Sequence, residues 1–298
     1  MQSDNSPAAS LTGVVKRYGD RLALDDVTLA IEPGQVTALL GPNGAGKTTA
    51  ISLLLGLATP EAGEVRVLGG SPHELAVRRR VGVMLQSAAL PDTLRVGELL
   101  RLICGYYPSP RPLAEVAALA GLGQLLHVPY SKLSGGQQRR VQFALAVCGN
   151  PQLVFLDEPT TGLDLEAREA LWDVVRALTA RGAAILLTTH YLEEAEALAQ
   201  RVAVLVRGRI VSCGTVDEIR AYGVRRRIRC VSDLPVAEIR GWTGVTGASR
   251  EARWLDIEGA VAEPIVRRLL AADPDLTELE VRRSGLAEAF VKITREAA

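Results

Sequence analysis

Lysine is scarce in this chain. Of its 34 basic residues only Lys16, Lys47, Lys132 and Lys292 carry an ammonium group, and the rest are arginines. We ascribe the bias to genomic codon usage, yet a lysine kept in so lysine-poor a sequence draws attention to its surroundings, and Lys47 is one. An excess of either charge is missing too. Basic residues, 34, balance acidic ones, 34, so there is no broad electrostatic footprint for nucleic acid or an anionic membrane. Four cysteines, at 104, 148, 213 and 230, stand far apart with no Cys-x-x-Cys or Cys/His spacing. That excludes a disulfide framework and a zinc site, and it reads as buried, reduced thiols of a cytosolic protein. No stretch approaches the ~18 uninterrupted apolar residues of a membrane helix, so the chain is not expected to span a bilayer by itself. The opening "MQSDNSPAAS" lacks the charged and apolar regions of a signal peptide, and residues 1–10 are expected to form a disordered tail.

What is present is a globular composition, 298 residues with 48% hydrophobic side chains, enough for one large domain or two modest ones. Apolar strand-like runs alternate with helical patterns: "QVTALLG" before "TTAISLLLGLA", then "LVFLDEP", "LEAREALWDVVRALTARG" and "AAILLTTH". This rhythm predicts an α/β fold with a mostly parallel sheet, whose ligand sites gather at the carboxyl ends of the strands. Residues of about 87–150 break the rhythm with Pro- and Gly-punctuated helical pieces, an expected helical insertion. The main domain is expected over 11–222. Residues 223–298 read as a small α+β appendage, with strands "RRRIRCVS", "ARWLDIEG" and "LTELEVRRS" and helices "AEPIVRRLLAA" and "SGLAEAFVKITRE". From Val224 onward it holds 13 basic and 12 acidic residues, so its cluster Arg225, Arg226, Arg227 and Arg229 reads as a solvated strand face.

"GPNGAGKT", Gly41 to Thr48, fits G-x-x-x-x-G-K-[ST] between a strand and a helix. Its glycines let backbone N–H groups turn onto phosphates, Lys47 supplies a point charge, and Thr48 offers a hydroxyl for Mg²⁺. Asp157 and Glu158 end an apolar strand, where successive side chains leave on opposite faces. One can hold a metal through water while Glu158 acts as general base. Gln86 and His190 end two further apolar runs, and each alone would read as a polar strand cap. A second anion cradle, "LSGGQ", lies 86 residues beyond Lys47 (133 − 47). One nucleotide hardly needs two cradles in one chain.

Phosphate loop, Gln86, LSGGQ, LDEP, "TGLD" and His190, in this order, resemble the ATP-binding cassette of ABC transporters, a P-loop NTPase, over residues 11 to about 220. The resemblance implies ATP and Mg²⁺ as cofactors and ATP hydrolysis as the activity. It implies that Tyr18 stacks on adenine and that Gly41, Pro42, Asn43, Gly44, Ala45, Gly46, Lys47, Thr48 and Thr49 hold the phosphates. Thr48, Gln86 and Asp157 would surround the metal, and Lys47, Gln86, Glu158 and His190 would serve the chemistry. Cassettes of this family pair head to tail, so Ser134, Gly135, Gly136 and Gln137 would close over the nucleotide of a second copy, with Asp164 bridging the two. Residues Ser87 to Pro110 would meet a separate transmembrane permease, which places the chain at the cytoplasmic face of the membrane, with no nucleic-acid partner.

The flanks "THYLEEAEALAQRVAVLVRGRIVSCGT" and "GLAEAFVKITRE" are similar to ATPase subunits of bacterial ABC-2 type exporters of drugs, antibiotics, lipids and polysaccharides. Importer ATPases, a soluble ABC-class ATPase without a membrane partner and a regulatory subunit that binds ATP without hydrolysing it are the alternatives.

Overall fold

The computed structural model describes residues 6–86, 89–223, 226–283 and 285–297. It divides into two compact units, one up to Val216 and one of Asp217–Glu296.

The first unit opens with strands β1 (Ala9–Tyr18) and β2 (Arg21–Ile31), which join β4 (Ala62–Val67) in an antiparallel sheet of order β2-β1-β4. Beside it lies a six-stranded sheet of order β5-β6-β7-β3-β8-β9, built from β3 (Val36–Leu40), β5 (Val81–Met84), β6 (Leu153–Asp157), β7 (Ala184–Thr188), β8 (Arg201–Val206) and β9 (Arg209–Thr215). Five strands run parallel and only β9 is antiparallel. Every residue of β3, β6 and β7 is buried, which explains their unbroken apolar runs: a parallel strand covered on both faces has no polar side. Alternate residues serve two cores. Leu153 and Phe155 pack with helix α1 (Lys47–Leu54) and the antiparallel sheet, whereas Val154 and Leu156 pack with α5 (Gly135–Val147) and α6 (Leu165–Ala180). Burying a side chain as large as Phe155 contributes about 1.5–3 kcal/mol. A short α2 (Leu75–Arg78) connects β4 to β5.

Between β5 and β6 the chain forms α3 (Val96–Cys104), α4 (Leu113–Leu119) and α5 around a core of their own that includes Leu99, Leu100, Val116, Leu122 and Val141. Ser134 caps α5: Gln137 N donates to its Oγ at 3.3 Å, and Ser134 N donates to Gln137 Oε1 at 3.0 Å. Asp164 caps α6 by accepting from Ala167 N at 2.8 Å. Helix α7 (Leu192–Leu198) precedes β8.

The second unit comprises α8 (Val216–Tyr222), β10 (Arg226–Val231), α9 (Val236–Arg240), β11 (Val245–Glu251), β12 (Trp254–Gly259), α10 (Ala262–Ala272), β13 (Thr277–Arg283) and α11 (Leu286–Glu296). Its sheet, of order β11-β12-β10-β13, is antiparallel throughout, so β10 to β13 form a split β-α-β-β-α-β unit.

Three expectations shift. Ala9 and Ser10 belong to β1 rather than to a disordered tail, and Ala8 and Ala9 are buried. Ala9 pairs with both Ile31 and Val67, and residues 1–5 lie outside the described residues. The appendage begins at Asp217 rather than 223, because α8 groups with it. It also contains β11 and α9, which the sequence pattern does not announce. Strand β11 is an edge strand with only Ala248 buried, so it shows no apolar alternation. Arg225, Ser87 and Ala88 lie outside the described residues.

Candidate active site

The phosphate loop joins β3 to α1. A Cβ at Gly41 would collide with the Leu205 carbonyl, and one at Gly46 would lie 2.6 Å from the Ala23 carbonyl. Gly46 also takes a φ of 115°, a left-handed conformation that suits glycine. No side chain caps α1, so its first N–H groups are free to meet an anion, aided by the helix dipole. Lys47 Nζ folds back to donate to the carbonyls of Gly41 at 2.5 Å and Pro42 at 3.1 Å. Burial pushes its pKa down, while Glu158 and Asp157 oppose the shift. Ala45, buried in the loop, donates through its N–H to the Pro42 carbonyl at 3.2 Å.

Across the cavity, the register of β6 against β7 pairs Asp157 with Thr188. The Thr188 hydroxyl donates to Asp157 Oδ1, which fixes one carboxylate oxygen. Glu158, one residue past the strand, adopts a φ of 49°, a conformation uncommon outside glycine and concentrated at functional sites. This twist aims its carboxylate at two neighbours. Gln86 Nε2 donates to Oε2 at 3.1 Å, and His190 Nδ1 lies 3.3 Å from Oε1.

These groups enclose a cavity of about 630 Å³ lined by Tyr18, Asn43, Gly44, Gly46, Lys47, Thr48, Thr49, Gln86, Asp157 and Glu158. His190 joins them through Glu158. Tyr18 is half exposed at the rim, and Lys16 Nζ lies over its ring, 5.3 Å from the centroid. By contrast Ser134, Gly135, Gly136, Gln137 and Asp164 do not line the cavity. Ser134, Gln137 and Asp164 are engaged in capping their own helices.

Three residues of the site escape sequence reasoning. Arg21 lines the cavity and donates through Nη2 to the Gly44 carbonyl at 3.3 Å; its signal is closeness to Tyr18 across a turn. Thr188 carries no motif, only its place opposite Asp157. Arg139, two residues beyond LSGGQ, turns inward from α5 and donates to the carbonyls of Leu85, Gln86, Asp157 and Glu158. Burial pushes its pKa down, with Asp157, Glu158 and Tyr130 opposing.

The family model described as "ABC transporter" matches residues 24–161. The daunorubicin resistance ATP-binding protein DrrA3 of Streptomyces coeruleorubidus is 37% identical over 309 residues, covering 96% of this chain and 96% of that protein. The chain belongs to the ABC transporter family. Its first unit is therefore an ATP-binding cassette. The Nod factor export ATP-binding protein I of Sinorhizobium fredii (strain NBRC 101917 / NGR234) is 37% identical over 96% of this chain and 82% of its own length. Among solved structures, an ATP-binding subunit of an ABC transporter superposes with a TM-score of 0.68 at 31% identity, over 72% of this chain and 92% of that one. The dimeric bacterial cassette MJ0796 does so with a TM-score of 0.63 at 25% identity, over 70% and 98%. Among the described residues, no helix is long and apolar enough to cross a membrane.

Proposed function

We propose that this cassette hydrolyses ATP as a head-to-tail dimer at the cytoplasmic face of the membrane and powers an exporter through a separate permease. The observation that carries the dimer is the half-built site. One copy brings Lys47, Gln86 and Glu158 to a single cavity, with His190 against Glu158, and leaves Ser134–Gln137 outside it. A second copy supplies that segment, so the two cradles of one chain serve two nucleotides. Export is supported by relatives whose names specify drug resistance and Nod factor export and which match over most of their length.

In this reading the first N–H groups of α1 and Lys47 bind the phosphates, and the ring of Tyr18 stacks on adenine. Glu158 takes the proton of the attacking water, held in place by Gln86 and His190 on its two oxygens. Such chemistry is mostly positioning and charge stabilisation. Mg²⁺ fits the donors present: a hydroxyl on Thr48, an amide on Gln86 and a carboxylate on Asp157 whose other oxygen is held by Thr188. Among the described residues no cluster of three or more His, Cys, Asp or Glu could hold a metal, which suits an ion that keeps waters and binds largely through substrate phosphates. When bound it would neutralise charge on the phosphates.

Sedimentation of Glu158→Gln tests the proposal. The variant should be monomeric alone and dimeric with MgATP. A variant that binds ATP tightly yet stays monomeric at saturation refutes the shared site.

A further inference from the structure

Glu194 stands on α7, just beyond His190, and none of the roles above uses it. It is fully buried, at 0% exposure, where an uncompensated carboxylate costs several kcal/mol. Three parts of the chain converge on it. From α6, Trp172 Nε1 donates to Oε1 at 3.3 Å and Arg168 adds a favourable charge. From the segment after β7, the hydroxyl of Thr189, the residue before His190, interacts with the carboxyl. From the segment after β6, Thr160, two residues beyond Glu158, does the same. Burial outweighs all of these and pushes the Glu194 pKa up.

Two contacts extend the link. Thr189 Oγ1 accepts from Tyr191 N at 2.9 Å, which shapes the turn that presents His190. Leu163 N donates to the Thr160 carbonyl at 3.1 Å, which shapes the turn that leads to Asp164. Glu194 Oε2 and Thr160 Oγ1 are both buried without a closed hydrogen bond among the described residues. Buried polar atoms are satisfied in nearly all folded proteins.

We infer that Glu194 is a positioning residue for hydrolysis: it ties the segment Glu158–Asp164 to the turn bearing His190, so that both carry the reacting groups as one body. The inference rests on the ATPase reading above. It assigns Glu194 no contact with the nucleotide, so ATP affinity of the single chain is independent of it. A merely structural role makes a different forecast. A purely structural Glu194 would show in stability alone: its replacement leaves Trp172 Nε1 without an acceptor, which lowers the melting temperature, while turnover of the folded protein stays at the wild-type level.

The test compares full-length wild type, Glu158→Gln, Glu194→Gln and Glu194→Leu in steady-state ATPase, fluorescent-ATP binding and thermal melting. Glu194→Leu should fold, bind ATP as wild type does and lose turnover by about tenfold or more, the scale set by a small misplacement of catalytic groups. Glu194→Gln keeps an acceptor for Trp172 and gains a donor for the threonine hydroxyls, so it should retain at least half of the wild-type kcat. A folded Glu194→Leu with wild-type kcat overturns the inference. Where the leucine variant does not fold, Thr160→Val decides: kcat down several-fold at unchanged KM supports the link, and an unchanged kcat overturns it. Glu158→Gln separates the two readings. Should it turn over ATP like wild type, the assignment of the base fails, whatever Glu194 does.

Discussion

Arg139 Nη2 donates to the backbone carbonyl of Glu158, which ties the helix capped by Ser134 to the proposed base of the same chain. The same guanidinium reaches the carbonyls of Asp157 at 3.2 Å, Leu85 at 3.0 Å and Gln86 at 3.1 Å. The segment that would serve a partner in the proposed dimer is thus bolted to its own strand ends. An ammonium cannot span four carbonyls as a planar fork does. Arg139→Lys should therefore reduce turnover at least tenfold and stability by about 2–4 kcal/mol, since buried acceptors lose their donor. ATPase assays and urea unfolding read both, and a stable variant with wild-type turnover would contradict the coupling.

Lys47 and Glu158 should separate binding from chemistry. Lys47→Ala removes a charge that meets the phosphates before reaction, so ATP affinity and turnover should fall together. Glu158→Gln keeps the shape and the Gln86 contact but removes the base. Binding should persist while kcat drops roughly a hundredfold or more. Equilibrium binding and single-turnover rates measure the two effects independently.

The thiols give a prediction in pH. Burial pushes Cys148 up to about 12 and Cys230 up to about 11, against an ordinary thiol value of 9.0. The folded chain thus keeps protons that the unfolded chain releases. Their contribution to stability is complete below pH 9.0 and is lost as pH rises from there through about 11 and about 12. Urea midpoints should hold steady from pH 7 to 8.5 and decline above pH 9. Iodoacetamide at pH 8 should modify exposed Cys213 and spare Cys148 and Cys230 until the chain unfolds.

Most of the parallel sheet and the cluster at the candidate site could be read from the sequence because each group sits at a strand end announced by an unbroken apolar run: Gln86 after β5, Glu158 after β6, His190 after β7. Residues that act through backbone contacts could not. Arg139 looks like one more polar residue in a helix, and only the fold shows its guanidinium turned toward four carbonyls. Thr188 gains its meaning from register, since Asp157 lies opposite it only once β6 and β7 pair. Strand β11 was hidden for a related reason: an edge strand with one buried residue carries no period to detect.

The geometry of two cradles yields the most stringent prediction. Ser134→Arg puts a bulky cation into the surface proposed to close over the partner's nucleotide and leaves the chain's own Lys47 and Glu158 intact. Each chain should bind ATP with wild-type affinity, yet neither site of a uniform dimer can complete itself, so hydrolysis should fall at least tenfold, the scale of losing a preorganised donor at the reacting phosphate. Lys47→Ala alone should be equally inactive for the opposite reason. Mixing the two creates one composite site, with Lys47 from the first chain and Ser134 from the second. Activity should reappear on mixing, reach at most half of wild type because one site per dimer is whole, and depend on the mixing ratio with a maximum near equality. Hydrolysis at the wild-type rate by Ser134→Arg alone would show that LSGGQ does not close over a neighbour's nucleotide.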